Sequence, residues 1–343
     1  MKKAILSRMF QWLGINWLAR YLTRNKLVIF MLHGVAAPTI HDKWQPTWQR
    51  TSPEQLELIV KAYQKHFTFI SLEHAVAMLQ GEVQWVKNAA VLTFDDGYKN
   101  NLTKALPVLE NLQVPMIVYP TLSAVEQRKP YWIDRLDFAL QQLDKSCVEL
   151  PCGADSKTIN LRSRKELSFS YQAYRLALKG AYQNDYQMLA DLDKNCSMLE
   201  SESGASLEQV LDGDVWSDLL QKDDLQVQNP LLDFGSHTVS HIRVTHVCTS
   251  ELIKELAQSK ETLGKYMGRE CKHFCYPNGD ASRNTASLVQ QCGYNSAVTT
   301  QQGLNKLGDN LFLLRRLPFP HHAKNPLEAL FHLSTKLLRF RSN

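Results

Sequence analysis

The sequence predicts an α/β protein built on a mainly parallel sheet, open or closed into a barrel, and interrupted once by a helical insertion. Two patterns carry that expectation. Short apolar runs rich in β-branched and aromatic residues alternate with segments of helical periodicity, as repeated βα units require. Between about residues 131 and 228 this alternation gives way to long polar–apolar helical patterns. With 343 residues, 44% of them hydrophobic, the chain suffices for one large domain or two smaller ones, which excludes disordered and fibrous classes.

Leu27 to Leu32 is the first strand-like run. Ser52-Pro53 followed by Glu54 opens a helix, because a serine cap and a proline in the first turn suit a helix N-terminus. Phe67 to Ile70 reads as a strand before a short helix, and Ala89 to Phe94 as the next strand. A helix near Leu102 to Leu112 leads to the run Val114 to Tyr119. Inside the insertion Tyr171 to Leu192 is helical in pattern and no strand signal is present. Leu231 to Gly235, Lys272 to Tyr276 and Asn295 to Val298 then resume the strands, and the short links make them neighbours in a parallel sheet. No internal repeat or low-complexity tract breaks this plan. The expected organisation is a basic amphipathic segment at 1–24, a main domain at 25–322 with the insertion at about 131–228, and a basic amphipathic helix at 323–343.

The formal charge of +5 is modest and spread out, so nucleic acid is not an expected partner. Seven cysteines form no paired CxxC ladder, which implies reduced thiols and a cytoplasmic protein. Gln11, Gly14, Asn16 and Arg20 interrupt the N-terminal apolar residues, so no signal-peptide core is expected, and no stretch approaches the ~20 apolar residues of a spanning helix. No acidic residue precedes Asp42, while Ile5, Leu6, Met9, Phe10, Leu13, Trp17, Leu18 and Tyr21 recur at helical spacing among basic residues. That pattern suits a helix lying on an anionic membrane and equally one packed on the protein's own core. The C-terminal stretch Leu327 to Arg341 repeats it.

Three segments carry chemistry. Asp95 and Asp96 follow the run Ala89–Phe94 and precede Gly97, at a strand end where parallel α/β proteins collect their active sites. Adjacent side chains diverge there, so one carboxylate can hold a metal while the other meets water; a solvated turn is the plain alternative. His237 and His241 are four apart after another strand, and a helical turn would set both imidazoles on one face, a spacing that suits zinc. Among 11 histidines such a pair can also arise by chance. Tyr276-Pro277-Asn278-Gly279 is a turn able to direct a backbone N–H at a developing oxyanion.

In this order the segments resemble the polysaccharide deacetylase family, which includes the rhizobial chitooligosaccharide deacetylases. Thr93-Phe94-Asp95-Asp96-Gly97-Tyr98 matches its first motif, His237-Thr238-Val239-Ser240-His241 its second, and Phe274-Cys275-Tyr276-Pro277-Asn278-Gly279 is a variant of its third. The resemblance implies a distorted (β/α) barrel with a helical insertion, in which Asp96, His237 and His241 bind a divalent metal, expected to be Zn2+. It implies Asp95 as the base and the Tyr276 N–H as an oxyanion donor. It implies removal of N-acetyl groups from an amino sugar in a polysaccharide or glycan precursor. Leu32-His33-Gly34-Val35 resembles the segment that opens the family domain, which makes His33 a candidate to line the site.

The departures concern the supporting residues. Cys275 stands where many members have an arginine that orients the catalytic carboxylate, with Arg315 or Arg316 as possible substitutes. The late Asp-rich motif is not visible near Thr299-Thr300, and the Leu-x-His of the general acid is missing, leaving His321 and His322 as candidates, with an exposed pair as the alternative. Trp132, in Tyr131-Trp132-Ile133-Asp134-Arg135, and Arg316 are candidate substrate-binding residues; Trp132 serves as well to anchor the insertion. An O-acetyl esterase, a deformylase and a non-catalytic glycan-binding relative are the alternatives. The amphipathic ends add peripheral membrane association and a lipid-linked carbohydrate as expected partners.

Overall fold

The computed structural model describes every residue except 1, 40, 41, 43, 49, 342 and 343. Met1 and the side chains of Lys2 and Lys3, part of the basic N-terminal segment, lie outside that description. Helices α1 (Lys2–Trp12) and α2 (Ile15–Thr23) lead into β1 (Val28–Leu32). Helix α3 (Pro53–Gln64) starts where Ser52 predicts: its hydroxyl accepts the Gln55 N–H, and the Gln55 side chain accepts the Ser52 N–H. Then come β2 (Thr68–Phe69), α4 (Leu72–Gln80), β3 (Ala89–Asp96), α5 (Leu106–Asn111) and β4 (Met116–Pro120).

The segment between β4 and the next barrel strand holds α6 (Leu122–Gln127), α7 (Trp132–Gln141), the strands β5 (Cys147–Cys152) and β6 (Asp155–Asn160), α8 (Arg164–Ala181) and α9 (Asp185–Ser203). The expectation of an insertion without strands is therefore corrected. β5 and β6 form an antiparallel hairpin turning at Gly153, and their polar residues hid the alternation. The barrel resumes with β7 (Leu232–Phe234), α10 (Thr249–Met267), β8 (His273–Cys275), α11 (Arg283–Gln291), β9 (Ser296–Gln302), β10 (Leu314–Pro318) and α12 (Pro326–Arg339).

The strands run in parallel in the order β7-β4-β3-β1-β10-β9-β8, with β2 beside β3. One further parallel bridge, Ser236 to Phe274, joins the two ends, so the sheet is a nearly closed barrel. Alternation along the strands sets two layers. Val28, Phe30, Leu92 and Val118 pack outward against the helices, whereas Ile29, Val91, Ile117, Val298 and Leu314 share the second core with α4. Thr93 and Asp95 continue the parity of Val91, so the inner layer changes from apolar to polar at the C-terminal end of β3. The insertion has its own core, formed by α7, α8, α9 and the hairpin.

Helix α12 spends its apolar face on the barrel: Leu330, Leu333 and Leu337 are buried, and Tyr63 on α3 donates to the Ala329 carbonyl. Among the described residues no helix is long and apolar enough to cross a membrane.

Candidate active site

Gly97 explains the turn that presents the two aspartates. Its φ is +71°, and a Cβ there would lie 2.7 Å from Cα of Pro120, so only glycine fits. Asp96 itself has φ 75°, a conformation costing about 1–3 kcal/mol for a side chain of its kind. Its carbonyl is tied down by the Tyr131 hydroxyl at 2.6 Å.

Asp96, His237 and His241 converge. The Asp96 Oδ1 lies 3.6 Å from His237 Nε2 and 3.4 Å from His241 Nε2. The Nδ1 of His237 donates to the Cys275 carbonyl at 2.7 Å, which leaves its Nε2 as a lone-pair donor facing Asp96. Burial opposes the charge on Asp96, but His33, His237 and His241 outweigh it and hold the carboxyl well below its usual range. Donor atoms around a tetrahedral ion with bonds of about 2 Å are roughly 3.3 Å apart, so this set of one carboxylate and two imidazoles fits a divalent metal.

The histidine pair does not ride on a helical turn. Residues 235–247 form no helix; Thr238 and His241 take φ values of 69° and 57°, and this loop turns the two rings to 4.9 Å. Glu255 on α10 fastens it, its Oε2 accepting the N–H groups of Val239 and Ser240 at 2.7 and 2.9 Å.

Asp95 is gripped by Arg316, with Nη1 to Oδ1 at 2.6 Å and Nη2 to Oδ2 at 2.7 Å. The same guanidinium donates to the Thr93 hydroxyl, the Thr299 carbonyl and the Cys275 sulfur. All five of its N–H donors are thereby engaged, and the residue is buried. The expectation that Arg316 binds substrate is corrected: no donor remains for a ligand, and it is a positioning residue for Asp95. Cys275 leaves room for this, since its sulfur is 3.4 Å from Nη2. Burial alone would raise the Asp95 pKa, but Arg316 outweighs it and lowers it. Arg315 instead turns to the Leu304 carbonyl and Asp309.

Tyr276 is likewise corrected. Its N–H donates to the Val298 carbonyl at 3.1 Å, and its hydroxyl to the Phe312 carbonyl, so the N–H is spent within the sheet. Two residues on, Asn278 has φ 56° and lines the cavity. His33, Trp132 and His321 all line that same cavity, of about 540 Å³, together with Asp95, Asp96, His237 and His241. Asn101 fixes the His33 carbonyl at 2.8 Å. His322 turns to His332, with 3.0 Å between their Nε2 atoms, and is not among the lining residues.

Sequence reasoning missed the scaffold behind the wall. Arg50 lies between the rings of Trp48 and Tyr98, 3.9 Å from each, and meets the buried Asp134, whose carboxyl burial pushes up to about 6. Arg50 and Glu255 belong to no motif; the polar residues in otherwise apolar surroundings were their only signal.

The description Polysaccharide deacetylase matches residues 83–204 and 224–297, more than half of the chain. The chain belongs to the polysaccharide deacetylase family. This is an enzyme family of carbohydrate deacetylases, hydrolases of carbon–nitrogen bonds other than peptide bonds. The fold is similar to that of Streptococcus pyogenes deacetylase PplD in complex with acetate, at 16% identity and a TM-score of 0.55, covering 89% of this chain and 96% of that one. IcaB from Ammonifex degensii gives 13% and 0.54 over 91% and 97%. In sequence, 86 residues are 23% identical to YxkH of Bacillus subtilis, named as a polysaccharide deacetylase. That match covers 25% of this chain and 31% of the relative, so the chain spans about a third of that curated protein.

Proposed function

We propose that this family member is a metal-dependent hydrolase that removes N-acetyl groups from an amino sugar in a polysaccharide or glycan precursor. The observation that carries the reading is the meeting, in one cavity, of the Asp96–His237–His241 donor set with a buried aspartate held by an arginine. A divalent ion, which we infer to be Zn2+, would be held by Asp96, His237 and His241 and would supply Lewis-acid charge at the amide and an acidified water.

Asp95 takes the proton of the attacking water. Arg316 keeps that carboxylate ionised and pointed into the cavity, lowering its basicity in exchange for a fixed orientation. Asn278, which lines the cavity two residues after Tyr276, is the better candidate to offset the charge that develops on the amide oxygen, where stabilisation acts on the transition state. His321 protonates the leaving amine from the rim, and Trp132 with His33 frames the sugar. All seven cysteines are free, which fits a reducing compartment such as the cytoplasm.

Arg316, reaching Asp95 from β10, puts a cation where Cys275 replaces the family's arginine, which weighs against a non-catalytic relative that has lost both that arginine and the general acid. Acetate release from N-acetylated sugars, oligosaccharides and lipid-linked precursors tests the reading, with wild type beside Asp95→Asn and His237→Ala. Release by wild type alone is expected. Release of formate or of O-linked acetate instead would move the reaction to a deformylase or an esterase.

A further inference from the structure

Helices α1 and α2 are built inside out. The residues they turn inward are Ser7, Asn16, Ala19 and Thr23, none more than 3% exposed. Apart from Phe10 and Ile15, the large apolar side chains along the pair and the turn between them face away: Trp12 is 85% exposed, Trp17 60%, Ile5 56%, Leu13 54% and Leu22 45%. A helix that packs only on its own protein does the reverse, burying its apolar stripe and wetting its polar one. A contiguous apolar face of this kind marks an interaction surface.

The pair is firmly attached all the same. Phe10 packs edge-on against Phe331 of α12 at 4.6 Å, and Lys26 Nζ donates to the Arg341 carbonyl at 2.6 Å. Helix α12 therefore presents the apolar face rather than covering it.

Charge and side-chain type identify the occupant. Lys2, Lys3, Arg8, Arg20, Arg24 and Lys26 are basic, and no acidic residue precedes Asp42. Trp17 and Tyr21 stack at 5.2 Å, and Arg24 lies over the Tyr21 ring. Tryptophan and tyrosine favour the boundary between headgroups and acyl chains, and lysine and arginine favour anionic lipid. A second copy of this chain would bring one basic face against another, which repels.

We propose that α1 and α2 dock this protein in the plane of an anionic lipid bilayer, with Trp12, Leu13 and Trp17 in the headgroup region. Of the two readings sequence leaves open for this segment, a buried side of Ser7, Asn16, Ala19 and Thr23 favours the lipid one. Docking is independent of the chemistry in the cavity. Because α12 follows β10 directly, the same support joins the lipid-facing helices to the cavity wall at Phe319 and His321.

The test is co-sedimentation of the full chain with vesicles of phosphatidylcholine alone or with phosphatidylglycerol added. Binding to the anionic vesicles is expected to be at least about tenfold tighter and to weaken with salt. Trp12→Ser with Trp17→Ser lowers it by about tenfold or more, with thermal unfolding unchanged because both rings face outward. Lys2→Gln, Lys3→Gln and Arg8→Gln together reduce the preference for anionic lipid severalfold, Arg20, Arg24 and Lys26 keeping the remainder. Protein left in the supernatant with both vesicle types overturns the proposal. So does a concentration-dependent dimer, dissolved by the tryptophan substitutions, in a chain that ignores vesicles.

Discussion

The contact between Arg316 and Asp95 spans 221 residues of sequence, and it decides what the second aspartate can do. A buried carboxylate without a cation would take up a proton; with Arg316 it stays ionised and oriented. Arg316→Met should destabilise the protein by about 3–5 kcal/mol at neutral pH, because it strands that charge. The sign with pH is also fixed. In the wild type the lowered Asp95 pKa contributes stability above the unfolded value of about 3.9, lost as pH falls through the lower folded value. In the variant burial is opposed only by the weaker pull of His33 and His237, so the folded pKa rises; once it passes the unfolded value this contribution reverses, and stability falls as pH rises from about 4. Urea unfolding across pH reads both, and an unchanged slope would show the pair to be incidental. Adding Asp95→Leu should recover stability but not acetate release. Sequence offers Arg315 and Arg316 as equals here. Choosing between them needs strand parity, and the two arginines interrupt the apolar run that would have revealed β10.

At the scale of elements, the loop between β7 and α10 does what a helical turn was expected to do. Spacing brings His237 and His241 into view but not the means of joining them, because positive φ at Thr238 and His241 leaves no periodic trace. The Glu255 carboxylate stands in for missing backbone partners at Val239 and Ser240, and its other oxygen accepts the Tyr186 hydroxyl at 2.8 Å. Glu255→Ala should cost about 1–3 kcal/mol through the two unsatisfied N–H groups. It should weaken binding of the proposed divalent metal, with zinc as the probe, about 10–100-fold, as loss of a ligand's support does. Competition with a chelator measures this directly, and zinc affinity equal to wild type would show that the loop holds its shape without Glu255. Elements marked by apolar runs, β1, β3, β4 and β7 among them, are legible because burial on both faces writes itself into composition. The β5–β6 hairpin is not, since most of its residues are exposed.

For the whole molecule, barrel and insertion keep separate cores, yet the cavity has walls from both: His33, Asp95 and Phe319 on one side, Trp132, Arg175 and Met188 on the other. Composition shows the insertion but not whether it stands alone. We propose that the two unfold as one unit, because what joins them is buried and charged. Arg243, two residues after His241, donates through its backbone N–H and Nε to Asp185 at the start of α9, at 2.5 and 2.8 Å, and both side chains are at most 3% exposed. Its Nη1 also reaches the Lys179 carbonyl at the end of α8. Tyr131 and Asp134 add the links to Asp96, Tyr98 and Arg50. Asp185→Asn leaves the Arg243 guanidinium buried without its counter-charge, an expected loss of about 3–5 kcal/mol. Calorimetry should give a single transition in the wild type and a single, lower one in the variant. Two transitions in the wild type, with Asp185→Asn moving only one, would make the insertion a domain with its own stability, and the cavity a cleft between independent bodies.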